Sequence, residues 1–432
     1  MQDQGKQREY FDAAKETMAY AERGRQQEAR LRHIVAHAYA KALTFREKCQ
    51  LAGVDPEMVR TLSDLERIPM TRKDDLLELH KQRPFGGLLG VPPQKLKRAF
   101  ISPGPIYDPE GEEEDYWRWA GPLCAAGFRE GDVALNSVSY HLTPLGWMFD
   151  EGLRALGCTV LPGGTGNTEQ QVKLAVYAGA TAYVGTPSFL MMLLEKAEEL
   201  GFELGKDLRL RCALVAGEML PESLRHRIQE KAGATIRQAY GTADLGAVAY
   251  ECREGRGMHI ADDVVVEIVD PSTGKQVGPG ESGEIVVTSF DETYCLIRFG
   301  TGDLSYMTNE PCPCGRTSPR LVRIVGRIGD AVKVRGMFVH PREIDNVISR
   351  YPQVAAYQIV VTRPGVRDEM LLRVELQSQA NEQTVENKES LRRELREKMG
   401  EALKLKIDNL EFVAPATLAE GAKKVLDERK WD

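Results

Sequence analysis

The side chains best suited to chemistry lie in a short stretch around Asp303 and Arg327. Asp303 follows a glycine, which lets the backbone turn sharply and hold out a carboxylate that can accept both hydroxyls of a ribose. Arg327 offers a planar fork of donors that matches ribose or phosphate oxygens. Gly329 permits backbone angles closed to other residues, which suits a hinge. Each feature alone is better explained as a turn or an ion pair, but their order and closeness favour a nucleotide site.

A second set of reactive side chains combines three thiols with one imidazole. The set consists of Cys252, His259, Cys312 and Cys314. A Cys₃His composition suits tetrahedral Zn²⁺, although these spacings differ from those of common zinc fingers. Four protein ligands would close the coordination sphere. We therefore predict a structural zinc knuckle over residues 252–314, in preference to four unrelated residues.

Composition places the chain among ordinary globular proteins. Its 432 residues are 42% hydrophobic and 28% charged, which predicts two or three cores. The net charge of −7 comes from interspersed charges, and the lack of a basic block argues against nucleic acid. We expect no signal peptide and no membrane partner, because the first residues are polar and apolar runs are short. Eight cysteines do not make a disulfide scaffold in a chain this long, so we expect a reducing cytoplasm.

Hydrophobic patterning predicts the elements that carry these groups. Residues 8–48 show helical spacing, which indicates helices packed on the main body. Thr71 is predicted as the N-cap of a following helix, in which Lys73 receives no chemical role. From Asp132 to Gly185 apolar strands alternate with helical stretches, which indicates a layered α/β core.

Later patterns predict more strands. The β-branched runs at 264–269 and 283–288 suggest a small β-rich part that leads to Asp303. A further domain follows Gly329, with predicted strands at 354–361 and 371–376 and a helix from Val385 to about Leu403.

Four motifs in fixed order resemble the late core motifs of the adenylate-forming superfamily, which includes acyl-CoA synthetases, peptide synthetase adenylation domains and luciferases. They are Thr301-Gly302-Asp303, Gly326-Arg327, Lys333-Val334-Arg335-Gly336 and Pro341-Arg342-Glu343-Ile344. The likeness runs from about Ile68 to the C-terminus and is strongest to the phenylacetate-CoA ligase branch. It implies an α/β fold with a large N-terminal domain of layered α/β sheets plus a small β-rich subdomain over residues 1–327. A small mobile α+β C-terminal domain would cover 328–432, turning on a hinge at Ile328, Gly329 and Asp330.

The segment from Ala99 to Pro109 occupies the place of the family's phosphate loop but departs from it. Such loops expose glycine amides to phosphate and close with a lysine, whereas Pro103 and Pro105 remove donors and stiffen the chain. The remaining candidates for phosphate contact are Ser102, Gly104 and Tyr107. The alternative interpretation is a rigid surface turn.

The resemblance also implies a nucleotide site. Its residues would be Gly217, Glu218, Ala239, Tyr240, Gly241, Thr242, Asp303 and Arg327. Tyr240 would stack on the adenine and Thr242 would meet the α-phosphate. Asp244 stands where the family usually has a glutamate that holds Mg²⁺, and its shorter side chain leaves room for a water.

Other roles come from the same resemblance. The acyl pocket would be walled by Tyr140, His141, Pro144 and Gly146, and coenzyme A would meet Lys333, Arg335 and Gly336. Lys423 is the candidate catalytic lysine, acting with Thr242 and Asp244, and Lys424 is the alternative because Ala422 shifts the register. A solvated basic tail is the plainer interpretation of these lysines.

The implied activity is the ATP-dependent ligation of an aromatic acid of the phenylacetate or indoleacetate type to coenzyme A, as in aromatic acid catabolism. It would form an acyl-adenylate and then acyl-CoA, with release of pyrophosphate and AMP. The implied cofactors are ATP, Mg²⁺, coenzyme A and structural Zn²⁺, and dimers common in this branch imply a homodimer. The competing interpretation is a homologue without CoA ligase activity that binds nucleotide or passes the acyl group to another acceptor.

Overall fold

The computed structural model describes residues 9–271, 273–278, 280–328, 332–335, 337–339, 341–377, 385–403, 405–419 and 422–429. The chain divides into two compact units, Met1–Gly326 and Arg327–Asp432. The boundary expected from the sequence lies one residue later, between 327 and 328.

The first unit contains helices and strands in alternation. Its described helices are α1 (Ala13–Glu16), α2 (Tyr20–Lys41), α3 (Leu43–Leu51), α4 (Lys73–Gln82), α5 (Ala120–Ala125), α6 (Leu145–Ala155), α7 (Thr168–Tyr177), α8 (Pro187–Glu199) and α9 (Glu222–Ala232). Its described strands are β1 (Thr71–Arg72), β2 (Arg98–Ser102), β3 (Ile106–Glu110), β4 (Val133–Asn136), β5 (Thr159–Pro162), β6 (Ala182–Gly185), β7 (Cys212–Val215), β8 (Thr235–Thr242), β9 (Gly246–Glu251), β10 (Met258–Ile260), β11 (Val264–Val269), β12 (Gly283–Ser289), β13 (Phe299–Thr308) and β14 (Arg320–Arg327).

One half of the main sheet is parallel. Strands β5, β4, β6, β7 and β8 are neighbours in that order, and each neighbouring pair is parallel. Helices α6 to α9 connect them, which confirms the predicted α/β alternation. Strands β6 and β7 are buried along their whole length, as expected for strands covered on both faces. The loops after these strands meet at one carboxyl edge, where α/β proteins bind ligands.

The other half of the sheet is antiparallel. Beyond β8 the described strands continue in the order β9, β10, β14, β13, β12 and β11. The β-rich part expected from the sequence is therefore hydrogen-bonded to the parallel half as one sheet. This continuity fixes β13, which carries Asp303, relative to β8, which carries Tyr240.

The N-terminal helices pack on this unit as predicted. Leu31, Ile34 and Ala38 form one stripe of α2, and they join Val265 and Ile297 in a buried cluster. Their spacing of three and four residues gives the helix one apolar face, which the sheet covers.

Thr71 is not the predicted helix cap. It lies in β1, which pairs in parallel with Phe299 of β13, and α4 begins at Lys73. The Asp75 carboxylate caps this helix instead, since its Oδ2 accepts the amide of Arg72 at 2.7 Å. Pairing with a distant strand thus outweighed the local capping preference.

The second unit is a small α+β domain. Its described elements are β15 (Val332–Val334), β16 (Met337–Val339), α10 (Pro341–Ile348), β17 (Val354–Thr362), β18 (Glu369–Leu376), α11 (Val385–Leu403), β19 (Asn409–Val413) and β20 (Val425–Asp427). The strand order β19-β18-β17-β20 makes a four-stranded sheet. Its core includes Ile344, Ile359, Leu372 and Leu395, so both predicted strands and the predicted helix are confirmed. Among the described residues of the chain, no helix is long and apolar enough to cross a membrane.

Candidate functional site

Tyr240 and Asp303 meet across the antiparallel half of the sheet. The Tyr240 hydroxyl donates to Oδ2 of Asp303 at 2.8 Å. Gly302 has a φ of 75°, which gives the sharp turn expected before the aspartate. The Asp303 amide donates to Oγ1 of Thr301 at 3.2 Å, so main chain and side chain are both oriented. The predicted base-stacking ring and the predicted ribose acceptor therefore belong to one hydrogen-bonded unit.

The chain after Tyr240 is tightly packed. A β-bulge interrupts the register between Tyr240 and Gly241. A Cβ atom at Gly241 would lie 2.5 Å from the carbonyl oxygen of Gly246 and 3.0 Å from Cζ2 of Trp119. Only glycine fits this position without displacing the backbone. Ala239 is buried on the same strand, and Thr242 ends it half-buried at the carboxyl edge.

The next predicted nucleotide contacts lie in the loop after β7. Gly217 has a φ of 82°, and Glu218 follows it. Oε2 of Glu218 accepts a hydrogen bond from the Ser188 hydroxyl at 2.6 Å. This contact ties the loop after β7 to the first turn of α8, so two neighbouring loops of the carboxyl edge are held together.

Asp244, the predicted Mg²⁺ ligand, is buried and ion-paired. Its Oδ2 lies 3.1 Å from the ammonium of Lys73, the first residue of α4. Sequence reasoning gave Lys73 no chemical role and missed this contact, which no local pattern reveals. Oδ1 of Asp244 is buried and has no hydrogen-bond partner within the described ranges. A buried, unpaired carboxylate oxygen fits a hard cation such as Mg²⁺.

Asp108 was also missed. It lies in β3, is fully buried, and neither carboxylate oxygen has a hydrogen-bond partner in the part of the chain that the structure describes. Burial raises the pKa of Asp108 well above its ordinary value, and the nearby negative charge of Asp244 raises it further. The available signal was an acidic residue in a segment expected to bind phosphate.

The segment in the place of the phosphate loop is a hairpin of β2 and β3. Ser102 pairs with Ile106 at its tip, and Gly104 lies in the turn between them. Tyr107 is 42% exposed, and its amide donates to Nδ1 of His80 at 3.0 Å. Ser102 is buried. The three predicted phosphate contacts thus differ in access, since Tyr107 reaches solvent and Ser102 does not.

The predicted acyl wall is an ordered polar and aromatic patch. Asn136 donates from Nδ2 to the Tyr140 hydroxyl at 2.6 Å, and that hydroxyl donates to Oδ1 of Asp150 at 3.2 Å. The indole of Trp147 donates to the Tyr140 carbonyl at 3.0 Å and packs edge-on against its ring. His141 is exposed. Pro144 and Gly146 lie at the start of α6, where the Gly146 amide donates to the Ser139 carbonyl at 3.0 Å.

Two carboxyl groups fasten the hairpin to α6. Arg98 reaches both, with Nη1 3.1 Å from Oε2 of Glu110 and Nη2 3.1 Å from Oε1 of Glu151. Burial and the neighbouring Glu151 carboxyl raise the pKa of Glu110 to about 7. The Arg98 guanidinium also lies 4.4 Å from the ring centre of Trp147. The Arg98–Glu151 ion pair therefore joins the hairpin to α6, and Glu110, whose pKa is near neutral, lies beside this contact within the hairpin.

The four predicted zinc ligands converge. All of them are buried, and their ligand atoms lie within 4.8 Å of one another. The Sγ atoms of Cys252 and Cys312 are 3.7 Å apart, and Sγ of Cys314 lies 3.4 Å from Nε2 of His259. Bonds of ~2.3 Å to sulfur and ~2.1 Å to nitrogen give tetrahedral edges of roughly 3.8 and 3.6 Å. The Cys252–Cys312 and Cys314–His259 separations match these edges, and the remaining pairs lie within 4.8 Å.

The surroundings of the cluster orient these ligands. Nδ1 of His259 lies 3.2 Å from the Ser318 carbonyl oxygen, so this ring nitrogen donates and Nε2 keeps its lone pair towards the sulfurs. Hydrogen bonds from the Cys252 thiol and from the Arg316 amide hold the pKa of the Cys314 thiol well below its ordinary value. Metal ions bind cysteine as the deprotonated thiolate, so a lowered pKa favours metal binding. The other five cysteines are buried and form no disulfide.

The second unit carries the remaining predicted residues. Arg327 begins it, and Ile328 follows with 37% exposure. Gly329, Asp330 and Gly336 lie outside the described residues, and the side chain of Lys333 does too. Arg335 is engaged within its own unit, since Nε donates to the Asp368 carbonyl at 2.9 Å.

The two candidate lysines of this unit differ in their surroundings. Nζ of Lys424 lies 2.6 Å from Oδ1 of Asp345 and 5.5 Å from the ring centre of Tyr357. Lys423 has an exposed side chain, and its carbonyl accepts from Gln358 at 3.0 Å. The backbone of this segment is thus fixed beside β17, whereas the Lys423 side chain points away from the core.

The chain resembles known proteins over most of its length. Residues 122–290 match the AMP-binding enzyme family, and residues 336–429 match the AMP-binding enzyme C-terminal domain. A phenylacetate-coenzyme A ligase from Thermus thermophilus is 35% identical over 94% of this chain and 96% of its own length. The chain belongs to the phenylacetate-CoA ligase family. The Escherichia coli phenylacetate-coenzyme A ligase is 32% identical over 81% of this chain and 82% of its own length.

A solved structure extends the likeness to the whole fold. A 2-hydroxyisobutyryl-CoA ligase, crystallised with 2-HIB-AMP and CoA, superposes with a TM-score of 0.88 at 28% identity. The match covers 98% of this chain and 93% of that one. As a member of the phenylacetate-CoA ligase family, this chain is an AMP-forming acyl-CoA ligase. Its hairpin at 98–110 lies outside both matched family ranges.

Proposed function

We propose that this protein is an ATP-dependent ligase that joins an aryl acid of the phenylacetate or indoleacetate type to coenzyme A. The observation that carries this proposal is the Tyr240–Asp303 hydrogen bond, which holds a ring and a ribose acceptor together in a chain related throughout to phenylacetate-CoA ligases. Arg327 is proposed as a further nucleotide contact on the resemblance of its motif alone.

In the first step, a carboxylate oxygen of the acid attacks the α-phosphorus of ATP, and pyrophosphate leaves. Thr242 and Lys423 orient the α-phosphate and neutralise its charge, since this reaction depends on positioning and electrostatics. Mg²⁺, held by Asp244, would supply charge neutralisation on the phosphates. Ser102, Gly104 and Tyr107 offer further phosphate contacts.

In the second step, the thiol of coenzyme A attacks the acyl carbonyl carbon and displaces AMP. The second unit turns about residues 328–330 and replaces the lysine face by the Lys333–Gly336 face. Arg335 contributes mainly by shaping this face, because its guanidinium already has acceptors in its own unit. Exclusion of water during this exchange protects the adenylate from hydrolysis.

The acyl pocket supports an aromatic acid. Tyr140 and Trp147 present two rings at right angles, and Pro144 and Gly146 form the neighbouring turn. Apolar and aromatic walls with few polar groups are typical of small-molecule sites. Exposed His141 lies at the rim and takes no part in proton transfer.

We also propose that Cys252, His259, Cys312 and Cys314 bind a structural Zn²⁺. The tetrahedral edge lengths and the donor set support it. We also propose a cytoplasmic location, because none of the eight cysteines forms a disulfide. Dimer formation is proposed on the resemblance alone and is tested by light scattering.

A second candidate is an adenylate-forming homologue that does not make thioesters. The Lys73–Asp244 ion pair and the hairpin in place of a phosphate loop favour it. Pyrophosphate release is therefore measured with a panel of aryl acids, with and without coenzyme A. Thioester formation from an aryl acid supports the ligase. Pyrophosphate release without thioester supports transfer to another acceptor, and no release with any acid supports a nucleotide-binding protein.

A further inference from the structure

The hairpin, α4 and the end of β8 enclose a group of buried oxygen atoms. Both carboxylate oxygens of Asp108, Oδ1 of Asp244 and Oγ of Ser102 are buried without a hydrogen-bond partner within the described ranges. Asp108 is 0% exposed, and Ser102 and Asp244 are each 4% exposed. The hairpin and the turn after β8, which are distant in sequence, thus contribute the unpaired oxygens, and α4 contributes the Lys73 ammonium.

Such a group is costly unless something binds it. A buried acceptor without a partner destabilises the fold, and the effect is larger when the acceptor is charged. Within the described ranges the Lys73 ammonium forms an ion pair with Asp244, at 3.1 Å from Oδ2. One ammonium thus faces two buried carboxyl groups, and it pairs with one oxygen of one of them. A cation with oxygen ligands would satisfy the remaining lone pairs.

The chemistry of the group selects the kind of ion. Mg²⁺ and Mn²⁺ bind carboxylate, hydroxyl and water oxygens, and ATP sites usually supply one or two carboxylates. Lys73 is partly exposed, with 29% of its side chain accessible, so it lies between the buried carboxylates and solvent. Its displacement would open a path to both aspartates.

We propose that Asp108 is a second carboxylate ligand of the divalent cation that accompanies ATP, and that Lys73 stands in for that cation when it is absent. The inference rests on the proposed function for its link to ATP, but ion binding itself is measurable without ATP. In this proposal the hairpin binds the cation through the Asp108 carboxylate. The resemblance instead predicts that this segment donates hydrogen bonds directly to the phosphates. This role accounts for an aspartate in a proline-stiffened segment.

The test is a titration of the full chain with Mn²⁺ in the absence of nucleotide. The electron paramagnetic resonance signal of free Mn²⁺ measures how much of the ion remains unbound. We expect Asp108→Asn to weaken binding at least tenfold. We expect Lys73→Met to strengthen it several-fold, because a competing positive charge is removed. Glu112→Gln is the matched control, since this carboxylate lies just beyond the hairpin and is exposed. It should bind Mn²⁺ like the wild type.

Two results would overturn the inference. One is equal Mn²⁺ affinity in the wild type and Asp108→Asn. The other is Mn²⁺ binding in Lys73→Met that is equal to or weaker than that of the wild type. If Asp108→Asn does not fold, the Mn²⁺ affinity of Lys73→Met is sufficient to test the inference. Failure of the proposed function looks different: a wild type that binds Mn²⁺ through Asp108 but makes no thioester from any acid keeps the site and loses the ligase.

Discussion

Replacing Tyr240 by Phe removes one hydroxyl and leaves the ring that is proposed to stack on adenine. In the protein this hydroxyl donates to Oδ2 of Asp303 at 2.8 Å. Without this hydroxyl, the Asp303 carboxylate loses its hydrogen bond from β8. The Asp303 amide keeps its hydrogen bond to Thr301. The substitution therefore tests orientation of the ribose acceptor separately from stacking.

The expected magnitude follows from the kind of bond. A hydrogen bond to a charged group contributes about 1.5–3 kcal/mol, and this pair is only part-buried, which places it at the lower end. A loss of about 1.4 kcal/mol in nucleotide binding corresponds to a tenfold change. We expect KM for ATP to rise about tenfold and kcat for adenylation to stay within about twofold, because the ribose contact is equal in ground and transition states.

The assay is ATP–pyrophosphate exchange with a saturating acid. Tyr183→Phe is the control, because Tyr183 lies on β6 of the same sheet and its hydroxyl donates to the Thr186 carbonyl at 3.2 Å. That change should lower stability without altering KM for ATP. An unchanged KM in Tyr240→Phe would refute the view that Tyr240 orients Asp303 for the ribose.

Three further predictions concern other parts of the molecule. Lys423→Ala should slow adenylation at least a hundredfold and leave the rate of thioester formation from preformed acyl-adenylate unchanged. Lys424→Ala should change the rate of either step little. Equal rates of both half-reactions in Lys423→Ala and the wild type would contradict the assignment. Cys314→Ser should abolish bound zinc in metal analysis and lower Tm by roughly 5–10 °C, whereas Cys158→Ser keeps the metal; a wild type purified without chelator that contains no zinc would exclude the site. Because the pKa of Glu110 is raised from 4.5 to about 7, its carboxyl destabilises the folded state as pH rises from about 4.5 to 7. Glu110→Gln should thus match wild-type stability near pH 4.5 and exceed it by up to about 3 kcal/mol at pH 8; a constant difference across this range in urea unfolding would contradict the shift.

The sequence determined the elements and the local chemistry. Alternating apolar runs predicted the strands and helices between 132 and 185, because each run carries its periodicity in neighbouring residues. The convergence of the four proposed zinc ligands was also predictable, since their donor types suit one metal and all four lie within 63 positions, from Cys252 to Cys314. The order of the late motifs indicated the family before any contact was known.

Tertiary structure alone decided the partners of Asp244. Lys73 precedes Asp244 by 171 positions. The local sequence of a charged first helical turn does not reveal whether its lysine is solvated or pairs with a buried carboxylate. Asp108 was hidden for the same reason, because burial of both its oxygens depends on how the hairpin packs and not on neighbouring residues. Thr71 pairs with Phe299 of a distant strand and does not cap the helix that follows it. Contacts between distant residues depend on how the sheet is assembled, and the physical chemistry of a short segment does not contain that information.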